Sequence, residues 1–269
     1  MLEKVILQAP IFLLVAIRCV GLLMTLPLFS MRAVPMAAKV ALAGYMSFFL
    51  MNTVDYSDYA AFISGPDGAL SIHFLLIAVG EGLIGVIIGF YISIIFAAFS
   101  SAGQFMAFQM GFSAASTYDS LSQVENPLLG QFFNFVAMLV FMQNQWFQRL
   151  FLGGLSKSFT TMTTISLIQN QQHFMSFLLR GLTKLFTDAL IIALPIMGTL
   201  LLISICTGLL SKAAPQMNLM SEGFPIMILV SFFLILTLMP YMADFFVRSF
   251  RHGFSEIERL FDIFGGGGK

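Results

Sequence analysis

The sequence predicts an all-α integral membrane protein of about six long apolar helices. Three observations carry that reading. Of the 269 residues, 58% are hydrophobic and only 10% charged, against about a quarter charged in an average soluble domain. The 31 Phe alone outnumber the 13 basic and 13 acidic residues combined. The apolar residues also fall into six runs, each about long enough to cross a ~30 Å hydrocarbon core at ~20 residues. A soluble enzyme of this size needs a polar surface that this composition does not supply.

The runs, in order, are 5–29, 34–50, 72–101, 127–146, 185–210 and 224–243. The first follows a neutral start and contains Arg18. It is too long for a cleaved leader, which wants a positive start and an apolar core of roughly 7–15 residues, so it reads as a retained membrane segment. The second run is short and holds Lys39; the fourth and sixth carry no charge. Between the second and third lies an acidic connection, 52–71, with Asp55, Asp58 and Asp67 and no Lys or Arg. Between the third and fourth lies the Ser/Gly/Asn-rich segment GFSAASTYDSLSQVEN, 111–126.

Positive residues favour the cytoplasmic side. That rule places 52–71 outside and the turn with Arg32 and Lys39 inside. Six simple crossings then leave Arg149, Lys157, Arg248, Arg251 and Arg259 outside, so the rule contradicts itself. Either one run fails to cross or the molecule is not a conventional bundle.

Beyond Asp244 the pattern changes. Phe250, Phe254, Ile257, Phe261 and Phe264 recur at alternating spacings of four and three, one apolar stripe on an amphipathic helix. Acidic and basic residues balance there, so docking on a partner helix is preferred over lying on anionic lipid. The expected organisation is a membrane domain over 1–247 and this helix over 248–269, closing in a glycine run, 265–268, that reads as a flexible linker or an added tail.

The third run carries the most specific pattern. Gly85, Gly89, Ser93, Ala97 and Ser101 are small residues four apart without a break, a stripe that lets another helix backbone approach closely. A second short series follows at Gly103, Ala107 and Gly111. The spacing does not say whether the neighbour belongs to this chain or to another. Arg18, Glu81 and Asp188 are the ionisable residues well inside apolar runs, where charges are costly and face protein or water. They suit either an ion relay or paired charges that fix helix register. Arg180, Lys184 and Asp188 form one polar stripe leading to Pro195, where a kink is expected.

Enzyme signatures are absent. There is no HExxH site, no phosphate-binding Walker loop and no G-x-S-x-G elbow. His73, His173 and His252 have no ligand partners at helical spacing, and Cys19 and Cys206 read as small apolar packers. No metal, no cofactor and no catalytic residue is indicated. The neutral charge balance offers nucleic acid no basic field. By composition alone, 111–126 is either a surface loop or a small-residue plug beside an apolar wall.

Four blocks resemble a known family over nearly the whole chain. They are Arg18 with Pro27-Leu28-Phe29 and Val34-Pro35; Glu81-Gly82-x-x-Gly85; Ala102-Gly103-Gln104 through Gln109-Met110-Gly111; and GLLSKAAPQMNLMSEGFP from Gly208 to Pro225. Within the last block, Pro215, Gln216, Asn218, Gly223 and Pro225 carry the match. The family is FliR, of the flagellar type III export gate, with its injectisome counterparts. Lys212 stands where many relatives carry Arg, and Asp119 precedes Ser120 where relatives commonly have Asp-Pro.

The resemblance implies a helical hetero-oligomeric gate with FliP and FliQ, with FlhB and then FlhA as further partners. The gate sits in the bacterial inner membrane at the flagellar basal body and passes unfolded flagellar proteins. Its subunits are bent helical hairpins, many lifted out of the bilayer, which would account for the failed orientation count. It also implies that 111–126 is the pore plug, comprising Gly111, Phe112, Ser113, Tyr118, Asp119, Leu121 and Asn126. Phe112, Tyr118 and Leu121 would be its apolar contacts, with Met106 and Met110 in reach of a methionine gasket on FliP. The competing reading is a secondary transporter using Glu81, Arg18 and Asp188, which predicts internal repeats that the halves do not show.

Overall fold

The computed structural model describes residues 2–30, 34–51, 72–112, 128–213 and 219–265, and among these there is no strand. The helices are α1 (Leu2–Thr25), α2 (Pro27–Ser30), α3 (Met36–Met51), α4 (Ile72–Gln109), α5 (Leu128–Gln143), α6 (Trp146–Gln148), α7 (Ser156–Thr161), α8 (Thr164–Gln169), α9 (Gln171–Ala213) and α10 (Leu219–Phe264). A π-helical stretch, Arg149–Leu155, joins α6 to α7.

Local chemistry explains several boundaries. Pro27 opens α2, where its missing N–H is no loss and its fixed φ is already helical. Gln145 adopts a left-handed φ of 55° at the turn that separates α5 from α6. Met162 is extended (φ −113°, ψ 100°) and ends α7. One residue later the Thr163 side chain accepts from the Ser166 N–H while the Ser166 hydroxyl accepts from the Thr163 N–H, a reciprocal cap that starts α8.

Among the described residues, α4, α9 and α10 are long and apolar enough to cross a membrane; Ala9–Thr25, Met36–Met51 and Leu128–Gln143 are apolar but shorter. Sixteen residues of α3 reach only ~24 Å at 1.5 Å per residue, less than a hydrocarbon core. Six equivalent crossings are therefore not what the apolar runs form, and the orientation count had assumed them. The last run and the amphipathic stripe form one helix, since α10 continues unbroken through Pro225 and Pro240 to Phe264.

The chain divides into two compact units. The first comprises Met1–Ile94, Gln145–Gly181 and His252–Lys269; the second comprises Ile95–Asn144 and Leu182–Arg251. In the first, α1 packs on α3, and Leu14, Phe74, Ile77 and Ala78 form a buried cluster with Ile17 against it. Tyr91 stacks on Phe177 at 4.1 Å between ring centroids. Ile257, Leu260, Phe261 and Phe264 are buried here too, with Trp146 beside Phe254 and Lys157 bonded to Asp262 at 2.7 Å. The C-terminal stripe thus docks on its own chain rather than on a partner helix or lipid.

The second unit is centred on phenylalanine. Phe96, Phe99, Phe133, Phe141, Phe246 and Phe250 are all buried. Phe250 meets Phe96, Phe99 and Phe141 at centroid distances of 4.9, 5.4 and 5.3 Å, and Phe99 lies 4.1 Å from Phe246. Tilted and edge-on ring pairs of this kind add roughly 0.5–1.5 kcal/mol each beyond their buried area.

Candidate functional site

Of the three ionisable residues inside apolar runs, the structure brings two together. Arg18 on α1 and Glu81 on α4 are 0% and 1% exposed. Arg18 Nε donates to Glu81 Oε2 at 2.6 Å, Nη1 to Ser158 Oγ at 3.0 Å and Nη2 to the Met162 carbonyl at 2.8 Å. The Phe159 ring lies 4.1 Å from the guanidinium carbon. Thr164 Oγ1 donates to the other Glu81 oxygen at 3.4 Å, and the Ser158 hydroxyl donates to the Leu155 carbonyl at 2.7 Å.

The planar guanidinium fork suits this role because each of its nitrogens finds a different acceptor in a fixed geometry. Four stretches of chain converge on it: α1, α4, α7 and the 162–164 break. Both charges are neutralised within the network, so it acts chemically as a clamp. The Ser158, Met162 and Thr164 contributions escaped the sequence reading. The signal was the cluster Ser158-Phe159-Thr160-Thr161-Met162-Thr163-Thr164, where hydroxyls crowd an otherwise apolar stretch.

The small-residue stripe begins against the same helix. A Cβ added at Gly85 would collide with the Arg18 carbonyl, and one at Gly89 with Thr25 Oγ1 and the Leu22 carbonyl. These two glycines therefore let α4 press onto α1 within one chain. Ser93, Ala97 and Ser101 are half-buried. Further along α4, a Cβ at Gly103 would lie 2.6 Å from the Leu129 carbonyl of α5.

Asp188 lies in the second unit and is held differently. Lys184 Nζ donates to Asp188 Oδ1 at 3.0 Å, and the Ser249 hydroxyl of α10 donates to Oδ2. The Lys184 side chain is 27% exposed and that of Asp188 7%. Arg180, the third member of the expected polar stripe, is exposed. Pro195 sits inside the continuous α9.

Around the expected plug, the described residues are its first two. Gly111 has a φ of +84°, a left-handed conformation that glycine adopts without strain, and the Phe224 ring fills the space a Cβ would take. Phe112 is half-buried. Ser113, Tyr118, Asp119, Leu121 and Asn126 lie outside the described residues. So do Pro215, Gln216 and Asn218 of the C-terminal block, whereas Gly223 is buried and Pro225 exposed. Met106 and Met110 are both fully buried in this chain, which corrects the expectation that they reach a gasket on a neighbour. At i and i+4 they share the inner face of α4. Among the described residues no group of His, Cys, Asp and Glu could hold a metal ion.

The family model for bacterial export proteins, family 1, matches residues 9–253. The chain is 30% identical to the flagellar biosynthetic protein FliR of Bacillus subtilis over 232 residues, 86% of each chain. It is 31% identical to the FliR of Escherichia coli over 259 residues, 91% of this chain and 88% of that one. It is also 31% identical to the surface presentation of antigens protein SpaR of Shigella flexneri, over 167 residues, 61% of this chain and 62% of that one.

Proposed function

The chain belongs to the FliR family of bacterial export proteins, and from that premise we propose that it is the subunit whose 111–126 segment closes the flagellar export channel. As a family member it is a component of the flagellar export apparatus, placed in the inner membrane at the base of the flagellum. FliP and FliQ are its proposed immediate partners and FlhB a further one. The flagellar assignment is preferred over an injectisome because the FliR matches cover more of the chain than the SpaR match.

One observation carries the plug reading: the chain on each side of the segment is packed against this chain's own helices. On one side Gly111 is seated against Phe224 of α10. On the other, Leu129 and Gly130 in the first turn of α5 lie within van der Waals reach of Gly103 and Ser100 on α4. A short segment of small polar residues slung between two rigid anchors can leave a channel and return to the same place. A sequence of this composition, rich in Ser, Gly and Ala, suits a closure that must yield to an unfolded chain and then reseal against ions. The Arg18–Glu81 clamp argues against the transporter alternative, because two mutually neutralised charges with no exposed edge make a poor ion path.

Deleting 113–122 in the assembled gate tests this. The expected result is a raised ion conductance in reconstituted membranes with the complex still assembling with FliP and FliQ by native mass spectrometry. Unchanged conductance in a fully assembled complex would sink the plug assignment.

A further inference from the structure

The second unit contains a hairpin whose dimensions and chemistry match a lipid bilayer. Contacts from Asp188 to Ser249 and from Ser204 to Met227 set α9 and α10 antiparallel. Residues 189–211 of α9 carry no charge and end at Lys212; residues 223–243 of α10 carry none and lie between Glu222 and Asp244. In this register Asp188 stands level with Ser249, five residues past Asp244, so the two charge-free stretches overlap over most of their length while that of α10 ends about 7 Å short of the Asp188 level. Each is roughly 30–35 Å long at 1.5 Å per residue, the thickness of a hydrocarbon core.

The side chains in this slab are those a bilayer interior accepts. Large apolar groups stand exposed along both helices, among them Leu194, Leu202, Leu229, Phe233 and Leu236. Only 28% of the apolar window of α9 and 17% of that of α10 is buried, against 67% for α4. Neither stretch contains Asn, Gln or His. Its Ser and Thr hydroxyls, at 199, 204, 207, 211, 231 and 237, all donate to carbonyls three or four residues back on their own helix. These bonds leave the hydroxyls satisfied without water, as an acyl-chain environment requires.

At the Asp188 end the slab stops at a boundary with the right composition. Tyr241 is 71% exposed, and Arg248 and Arg251 are exposed, with no ion pair to either among the described residues. Tyr241, Asp244, Arg248 and Arg251 fall on one side of α10 at helical spacing. Asp244 is the one acid on that side, so the exposed charge there is net positive. An interfacial tyrosine one to two turns from unpaired arginines is the arrangement that anchors a helix at the headgroup level.

We propose that the outer face of the α9–α10 hairpin is bathed in lipid acyl chains across 189–211 and 223–243, and that Arg248 and Arg251 hold the phosphate of an anionic phospholipid at its charged end. The guanidinium forks match a phosphodiester as hydrogen-bond donors as well as by charge. The inference reaches beyond membrane residence to a particular hairpin, its depth and a lipid class.

Two measurements on the complete gate, reconstituted in vesicles of phosphatidylglycerol and phosphatidylcholine, test it. Nitroxides at Leu202→Cys and Phe233→Cys, in a background with Cys19 and Cys206 replaced, should be relaxed strongly by oxygen and weakly by a nickel chelate. Weak relaxation by both would mean that a neighbouring subunit covers the face, and strong relaxation by the chelate would mean water; either overturns the proposal. Native mass spectrometry should find phosphatidylglycerol retained over phosphatidylcholine, with the preference falling roughly ten- to thirty-fold in Arg248→Gln/Arg251→Gln and surviving in the double Lys variant. A preference unchanged by the Gln pair would remove the headgroup assignment.

Discussion

Arg18 and Asp188 are both ionisable residues set in apolar runs, yet the molecule treats them differently. Arg18 is closed off completely, with a carboxylate, a hydroxyl, a backbone carbonyl and an aromatic ring around it. Asp188 has a half-open lysine on its own helix and one hydroxyl across the hairpin. The first charge ties four stretches of chain together. The second stands where a charge-free hairpin meets its polar end. Hydropathy sees one kind of residue in both places, and only the partners separate a clamp from a boundary marker.

The comparison breaks most sharply at Arg18. Arg18→Ala would leave Glu81 buried without its counter-charge and would orphan the Met162 carbonyl. Breaking a buried pair by removing one member costs about 3–5 kcal/mol, enough to lose the fold of the first unit or its incorporation into the gate. Arg18→Lys keeps the charge but cannot place three donors as the planar fork does, so it should rescue only in part. Thermal denaturation of the detergent-solubilised complex orders the variants. Equal stability of Arg18→Ala and wild type would mean that the four segments are held by packing alone.

Next in size are the glycines that let α4 reach that clamp. Gly85→Val forces a branched side chain onto the Arg18 carbonyl, and Gly89→Leu onto Thr25 and the Leu22 carbonyl. Overpacking of this kind costs about 1–3 kcal/mol, and more where backbone cannot move. Gly198 on α9 supplies the contrast, since nothing lies within 4 Å of its Cβ position. Gly198→Leu should be tolerated, with the same denaturation assay showing a shift for the α4 variants alone.

These positions also show what the sequence revealed. The four-residue spacing of Gly85, Gly89 and Ser93 identified a close helix approach, because steric need leaves a periodic mark. It could not name the neighbour, since the α1 backbone offers a carbonyl at any residue. Arg18 and Glu81 were legible as costly charges, but their pairing spans 63 positions and no local pattern encodes it. The clamp's other half was missed because a serine hydroxyl and a backbone carbonyl look ordinary in a string of letters. The apolar runs located the long helices but misplaced their ends. Helix α9 starts at Gln171 rather than 185 and α10 runs to Phe264, because a helix continues through polar residues whose backbone bonds are still made. Met106 and Met110, expected within reach of a gasket on FliP, are buried within the phenylalanine-rich unit, where flexible thioethers fill irregular space.

The smallest effects belong to the boundary node, and they sharpen the comparison most. Asp188→Asn keeps an acceptor for the Ser249 hydroxyl and removes only the charge. Lys184, 27% exposed, can then turn its ammonium toward solvent or headgroups, so little is stranded. A partly exposed i,i+4 pair is worth roughly 0.3–0.5 kcal/mol, and the loss in Asp188→Asn should stay within about 1 kcal/mol. Lys184→Met should cost more than Asp188→Asn, because it leaves the buried Asp188 carboxylate with the Ser249 hydroxyl and no counter-charge. If Asp188→Asn proved as damaging as Arg18→Ala in the same denaturation series, Asp188 would be a second clamp, and the hairpin would be fixed by that charge rather than by its fit to the bilayer.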